Sequence, residues 1–411
     1  MDWGRGRRRL PRLRTVGVVV LAVVVLAGAG VVVQLVRAAP ALAVTTTIPA
    51  RLTVPGPAPS MPWPPSGQAT VSVEGIGSLG QSGGDQALPI ASLTKVMTAY
   101  VVVSDHPLAG AAQGPAITMS AGDAASAQAG LAQGESELKV AAGEQLTERQ
   151  ALEALLVPSA NNIASALAVW DAGSAAAFVA KMNSAAAALG MSHTHYADAV
   201  GLDSNSVSTA VDQVVLGQKV MQLPVLASIV AMPQATFPVA GTVFNYDNLV
   251  GRDGIVGIKT GSTGAAGGNF LFAARRQVGT RPVLIVGAVL AQHATPILQT
   301  ALTVGRALID AAGAAVQVVT AASAGVRVAS IAAPWARKVG VATTSGAFFL
   351  GWGGLSVNDS LHIRTDLGGK VRAGTRLGVL DVRLGEQSGS IPVAATGTID
   401  PAPLSWKLRR L

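Results

Sequence analysis

A serine and a lysine stand three residues apart near residue 92, a spacing that can activate a hydroxyl group. Ser92 and Lys95 lie in a run that the pattern predicts to be helical, where residues i and i+3 share one face. A serine hydroxyl needs an adjacent base to act as a nucleophile. A desolvated lysine near other cations can accept its proton. The pair alone is too common to separate an active site from a surface contact.

Two further polar groups follow in the chain, each beside a predicted regular element. Ser159 and Asn161 come directly after a helix predicted over 148–156, where a hydroxyl can relay a proton and an amide can hold a substrate amide. Lys259, Thr260 and Gly261 stand at the end of a strand predicted from residue 254. The lysine and threonine can bind a carboxylate, and the glycine allows close approach of a substrate backbone.

The elements that must position these groups indicate an α+β fold. A strand at 71–76, an alanine-rich helical region over 120–220, strands at 254–258, 269–274 and 283–290, and a helix at 295–311 make one mixed domain. From about residue 316, short alternating segments indicate a separate, smaller β-rich domain. We therefore predict a catalytic domain over residues 67–313 and a β-rich C-terminal domain over residues 314–411.

The N-terminal segment has the pattern of a membrane-targeting sequence. Six arginines crowd residues 1–14, which we predict to be a basic cytoplasmic tail, and residues 15–36 are almost wholly apolar. Because a membrane-spanning helix needs roughly 20 apolar residues, we predict a retained transmembrane signal-anchor, with a cleaved signal peptide and a secreted protein as the alternative. Eight prolines between residues 40 and 65 predict a semi-rigid linker over 37–66.

Composition excludes several other classes of function. The net charge of +8 belongs to the two ends, because residues 15–406 carry equal numbers of basic and acidic side chains. A neutral body argues against nucleic-acid binding, which needs a basic face. The chain has no cysteine, which excludes thiolate catalysis and disulfides, and its five histidines form no metallopeptidase pattern. We expect neither a metal nor an organic cofactor.

Taken together and in this order, the three polar groups resemble a known family. The segments Ser92-Leu93-Thr94-Lys95, Ser159-Ala160-Asn161 and Lys259-Thr260-Gly261-Ser262 are similar to the three motifs of the serine-type D-alanyl-D-alanine carboxypeptidases, the low-molecular-weight penicillin-binding proteins of peptidase family S11. The resemblance covers roughly residues 68–300. It implies the β-lactamase/transpeptidase-like fold, in which an antiparallel sheet flanked by helices adjoins an all-helical lobe. The β-rich tail also looks like the C-terminal domain of many members.

The resemblance also implies a role for each residue. Ser92 would attack the substrate carbonyl, Lys95 would accept its proton and Ser159 would relay a proton to the leaving D-alanine. For substrate binding, the implied set is Asn161 for the substrate amide, Lys259 and Thr260 for the terminal carboxylate, Gly261 for close approach, and Ser262, with the Ser92 backbone, for the oxyanion.

The expected substrate is a peptidoglycan stem peptide ending in D-Ala-D-Ala, with β-lactams as inhibitors. A β-lactamase-like hydrolase is one alternative, although no glutamate occurs between Ala154 and Gly385 to activate a deacylating water as in class A enzymes. A membrane-tethered wall-binding or sensor protein without catalysis is the other. The motifs do not separate carboxypeptidase from transpeptidase activity.

Overall fold

The structure is a computed structural model that describes residues 11–48, 51–366 and 370–410. Its α-helices are α1 Pro11–Val36, α2 Thr94–Asp105, α3 Ala121–Ala132, α4 Glu148–Leu156, α5 Asn161–Ala172, α6 Ala175–Ala188, α7 Ala210–Met221, α8 Pro224–Val230, α9 Ile297–Ala315 and α10 Leu404–Arg409. Its strands are β1 Ala43–Thr46, β2 Arg51–Thr53, β3 Gln68–Val73, β4 Gly77–Ser82, β5 Leu88–Pro89, β6 Ala116–Thr118, β7 Gln145–Thr147, β8 Val207–Ser208, β9 Gln234–Phe237, β10 Gly241–Phe244, β11 Ile255–Thr263, β12 Gly267–Val278, β13 Arg281–Gln292, β14 Gln317–Ala322, β15 Arg327–Ala332, β16 Val339–Thr343, β17 Ala347–Gly351, β18 Ser356–Ile363, β19 Arg376–Leu384 and β20 Gln387–Ala395.

A five-stranded antiparallel sheet with the order β11-β12-β13-β3-β4 forms the centre of the predicted catalytic domain. Alternate side chains of β12 point to opposite faces, as a strand requires. Leu271 and Ala273 join the core beneath α7 and the helical lobe, whereas Phe270 and Phe272 join the core beneath α9. Because both faces are covered, the sheet is rigid, and β11 is left as an edge strand.

The helical lobe is built around α2, which follows the predicted nucleophile. Helices α4, α5, α6 and α7 all contact α2, whose residues from Thr94 to Val103 are buried except Tyr100. Side chains cap the beginnings of α4 and α6, where Thr147 and Ser174 accept hydrogen bonds from the backbone N–H groups of Gln150 and Ala177. These caps define where α4 and α6 begin and so fix the loops between the helices.

The proline-rich segment differs from the predicted linker. In residues 37–66, β1 pairs with β15 and β2 pairs with β18, so the segment supplies both outer strands of a seven-stranded sheet, β1-β15-β16-β20-β19-β18-β2. Leu42, Val54 and Met61 are buried in the same core as the C-terminal strands. Unpaired sheet edges attract any available strand, which explains why these residues pair with the sheet and do not form a free spacer.

The N-terminal helix and the C-terminus meet. Helix α1 extends over Pro11–Val36, and its residues 15–36 have the length and composition of a membrane span; the first ten residues of the predicted basic tail lie outside the described residues. The Arg410 guanidinium donates hydrogen bonds to the carbonyls of Gln34 and Ala38 at 3.2 and 3.0 Å. The Gln34 carbonyl lies in the last turn of α1, where a helix leaves acceptors unpaired and favours a cation, and Ala38 follows two residues after the end of the helix.

We predict that the segment 38–66 stabilises the C-terminal sheet. A chain that begins at residue 67 loses three buried apolar side chains and two edge strands, and its Tm should fall by at least about 5 °C. The control is a chain that begins at residue 38, which lacks only α1 and the tail. Thermal unfolding followed by circular dichroism compares the two, and equal Tm values would show that the segment is the spacer that the prolines suggest.

Candidate active site

A cleft of 380 Å³ opens between the helical lobe and the edge strand β11. Six of the eight predicted site residues line it, and the other two, Lys95 and Lys259, are buried beside it. The six lining residues are Ser92, Ser159, Asn161, Thr260, Gly261 and Ser262. The structure therefore brings all three sequence motifs together at one place, although they are separated by up to 170 positions in the chain.

Ser92 lies in a tight turn that leads into α2. A 3₁₀ turn covers Ala91–Leu93, and Ala91 has a positive φ of 48°, a strained conformation for a residue with a side chain. The neighbouring loop approaches so closely that a Cβ at Gly201 would lie 1.9 Å from the Ala91 carbonyl oxygen. Only glycine fits there, so the turn that presents Ser92 is held in place by direct backbone packing.

Lys95 is fully buried and has three neighbouring oxygen atoms. Its Nζ lies 3.0 Å from Ser92 Oγ, 2.8 Å from Asn161 Oδ1 and 2.8 Å from the Val200 carbonyl oxygen. The Asp198 carboxylate accepts backbone N–H groups at 2.8–3.0 Å and holds the loop that carries this carbonyl. Burial lowers the pKa of Lys95 well below its ordinary value, and the nearby charge of Lys259 lowers it further.

These contacts determine how a neutral Lys95 amine would be oriented. The amide oxygen of Asn161 and the carbonyl of Val200 can only accept hydrogen bonds, so they take the two N–H groups. The lone pair then points to the third neighbour, the hydroxyl of Ser92. The geometry can therefore support proton transfer from Ser92 to Lys95 without any rearrangement of the lysine.

Ser159 and Asn161 occupy the connection between α4 and α5. Ser159 has a positive φ of 63°, its side chain is buried, and its Oγ has no hydrogen-bond partner in the described chain. Buried hydroxyls are normally paired, so an unpaired one in a cleft is free for a substrate or a water molecule. Asn161 is the first residue of α5, and its side chain links Lys95 to the mouth of the cleft.

Lys259 is a residue of β11, and its side chain is almost wholly buried. Its Nζ donates to the Thr260 carbonyl at 3.0 Å, and burial lowers its pKa to about 7, against the opposing charge of Asp247. Asp247 is itself buried, which raises its pKa to about 6, and its Oδ2 has no hydrogen-bond partner in the described chain. The cleft thus holds a cation whose charge near neutral pH depends on this neighbouring carboxylate.

The sequence predicted that the third motif stands at the end of a strand, but the motif lies within β11. Strand β11 continues to Thr263, and Gly261 and Ser262 pair with Asn269 and Gly268. A Cβ on Gly261 would lie 2.9 Å from the Ser92 backbone nitrogen, which is tighter than side chains tolerate. Glycine therefore lets the exposed edge of the strand approach the nucleophile.

Seven further residues line the cleft that were not predicted as site residues, and Glu135 and Tyr246 are two of them. Glu135 and Tyr246 both face the cleft, one from the loop after α3 and the other from the loop between β10 and β11. The Glu135 carboxylate accepts a long hydrogen bond of 3.4 Å from the Asn161 side-chain amide. Glu135 precedes the second motif in the chain, and no sequence motif marks either loop.

Comparison with known proteins agrees with this geometry. The sequence profile of the D-alanyl-D-alanine carboxypeptidases of peptidase family S11 matches residues 79–289. The D-alanyl-D-alanine carboxypeptidase DacB2 of Mycobacterium tuberculosis is 37% identical over 231 residues, which cover 54% of this chain and 75% of that protein. A D-alanyl-D-alanine endopeptidase of Pseudomonas aeruginosa is 35% identical over 173 residues, which cover 42% of this chain and about half, 52%, of that protein.

The fold also has a solved counterpart. The crystal structure of the D-alanyl-D-alanine carboxypeptidase DacD from Francisella tularensis superposes with a TM-score of 0.57 at 21% identity. The superposition covers 84% of this chain and 95% of that one, so it includes the C-terminal β-rich part. The predicted fold class, a transpeptidase-like α+β domain followed by a β-rich domain, is confirmed.

The two buried lysines predict a bell-shaped dependence of kcat/KM on pH. Lys95 must be neutral to accept a proton, so activity should rise as pH rises through its lowered pKa. Lys259 must be charged to hold a carboxylate, so activity should fall as pH rises through about 7. Steady-state rates of release of the terminal residue from a carboxylate-ended peptide measure this profile, and a rate that stays flat from pH 6 to 9 would contradict it.

The influence of Asp247 on Lys259 can be tested separately. Asp247→Asn removes the negative charge that raises the pKa of Lys259, so this pKa should fall. The alkaline limb of the kcat/KM profile should therefore shift to lower pH by about one unit. Asp212→Asn is the matched control, because Asp212 is also buried but accepts hydrogen bonds from His193 and Thr194 at a different site. A uniform loss of rate in Asp247→Asn with an unmoved limb would mean that Asp247 acts on stability alone.

Proposed function

The chain belongs to peptidase family S11, the serine-type D-alanyl-D-alanine carboxypeptidases, and we propose that Ser92 is the nucleophile with which it removes the terminal D-alanine of peptidoglycan stem peptides. The observation that carries this assignment is the position of Lys95. Its amine is buried, and two of its three neighbouring oxygens can only accept hydrogen bonds, so its lone pair is available to the Ser92 hydroxyl.

In the first step, Ser92 Oγ attacks the carbonyl carbon of the penultimate D-alanine while its proton passes to Lys95. The resulting oxyanion would receive hydrogen bonds from the backbone N–H groups of Ser92 and Ser262, which the packing of Gly261 brings close to each other. Collapse of the tetrahedral intermediate breaks the peptide bond and leaves an acyl-enzyme on Ser92.

The leaving D-alanine needs a proton on its amine. We assign this transfer to Ser159, whose buried Oγ has no other partner in the described chain and which lines the same cleft as Ser92. Lys95 returns the proton it accepted by way of this hydroxyl. Lys259 and Thr260 hold the carboxylate of the leaving residue, Thr260 from the wall of the cleft and Lys259 from its buried position beside it. Water then attacks the acyl-enzyme and releases the shortened peptide.

A penicillin presents the same pattern of an amide, a reactive carbonyl and a carboxylate. We therefore propose that β-lactams acylate Ser92. Residues 15–36 would hold the catalytic domain on the outer face of the cell membrane as a single-pass anchor, because the arginine-rich residues 1–14 favour the cytoplasmic side. Arg410, near the C-terminus, then lies close to the outer end of that anchor.

We expect the purified protein to release D-alanine from a peptide ending in D-Ala-D-Ala. Ser92→Ala should lower the rate by at least about 10⁴-fold, and Lys95→Ala and Ser159→Ala by about 10²- to 10⁴-fold. The assay couples released D-alanine to an oxidase, and an added amine acceptor tests for transpeptidation in the same reaction. Full activity in Lys95→Ala and Ser159→Ala would refute the assigned mechanism.

Fluorescent penicillin separates the enzyme from a wall-binding protein with an inactive cleft. Covalent labelling of the wild type that disappears in Ser92→Ala is the expected result, because acylation requires the same nucleophile. A suitable control is Ser104→Ala, since Ser104 lies on α2 outside the cleft and is exposed. Absence of labelling in a folded wild-type protein would favour the non-catalytic alternative.

A further inference from the structure

The expected substrate can lie in the cleft in only one direction, because its two ends are assigned to different residues. This inference rests on the proposed function. The carboxylate of the terminal residue is assigned to Lys259 and Thr260, and the amide on the other side of the scissile bond is assigned to Asn161. The part of the peptide before the penultimate residue must therefore leave the cleft past Asn161, away from Lys259.

Glu135 lies on that exit path. The amide group of Asn161 bonds Lys95 through its oxygen at 2.8 Å and faces Glu135 through its nitrogen at 3.4 Å. Glu135 therefore lies on the side of the Asn161 amide that is turned away from Lys95. In the described chain, its carboxylate forms no ion pair with a basic side chain.

A second lining residue, close to the Glu135 loop, is aromatic. Tyr246 is 48% exposed, lines the same cleft and approaches the next residue of the Glu135 loop, with its hydroxyl 3.5 Å from Ser136 Oγ. The contact connects the loop between β10 and β11 to the loop after α3. An aromatic face beside a carboxylate is suited to a side chain with an apolar stem and a positive end.

We propose that Glu135 and Tyr246 form a subsite for an amine-bearing side chain on the substrate residue that precedes D-Ala-D-Ala. The carboxylate of Glu135 pairs with the ammonium group, and the ring of Tyr246 covers the methylene stem. Glu135 is the only acidic side chain among the lining residues of the cleft, so it determines where an ammonium group can bind.

A competing role for Glu135 would be to orient Asn161 alone. The two roles differ in their consequence, because an orienting contact serves every substrate equally, whereas an ammonium site favours only substrates with a charged amine. The readout is therefore a ratio of kcat/KM values for two peptides that differ in one charge.

The experiment uses the full chain in detergent and two peptides, Nα-acetyl-L-lysyl-D-Ala-D-Ala and the same peptide with its ε-amine acetylated. The wild type should favour the free amine by about tenfold in kcat/KM, and Glu135→Gln should bring this ratio close to one. Glu137→Gln is the matched control, because it removes the same charge two residues away, where the carboxylate accepts the Asn162 backbone N–H at 2.7 Å. It should keep the wild-type ratio.

Three results would overturn the proposal without touching the carboxypeptidase assignment. A wild-type ratio near one would show that no ammonium site exists. Equal losses for both peptides in Glu135→Gln, with the ratio preserved, would reduce Glu135 to an orienting contact. A ratio that falls equally in Glu137→Gln would show a general field effect. If the wild type released D-alanine from neither peptide, the proposed function itself would fail.

Tyr246→Ala gives a second readout, and a lower ratio of the two kcat/KM values is expected in this variant too.

Discussion

The burial of Lys95 is the constraint on which the site depends. An ammonium group removed from water is costly, and here the second lysine nearby adds to that cost. Two of its three neighbouring oxygens, those of the Asn161 amide and the Val200 carbonyl, can only accept hydrogen bonds. The third belongs to the Ser92 hydroxyl. A side chain that is a surface cation in most proteins thereby becomes a base directed at one oxygen atom.

The rest of the fold keeps these atoms together. Helix α2 carries Lys95 in its first turn, where the packing of the helical lobe buries the side chain. The covered sheet supplies a rigid edge strand, and the lack of a side chain at Gly261 lets that edge reach the backbone of Ser92. Gly201 does the same for the loop on the other side of the turn. Two glycines thus determine how closely the strand and the loop approach the turn that carries the nucleophile.

The main parts of this arrangement could be predicted from the sequence, because the types and order of the motif residues are tied to their chemistry. The helix over 148–156 and the strands around 269–290 also follow from hydrophobic periodicity. Two things could not be predicted. Glu135 and Tyr246 reach the cleft through loops, whose paths depend on tertiary packing. The proline-rich segment forms strands because distant sheet edges at β15 and β18 are free to pair, a fact that is not encoded locally.

The protonation of Lys95 is the most direct test of this account. Lysine labelled with ¹³C at the ε position allows each amine to be titrated by NMR, and Lys95→Ala identifies the resonance. We predict that the Lys95 signal titrates at a pH well below that of the exposed lysines, and that this difference narrows in Asn161→Ala, because the smaller side chain lets water reach the amine. A Lys95 signal that titrates together with the exposed lysines would contradict the claim that burial makes this side chain the base.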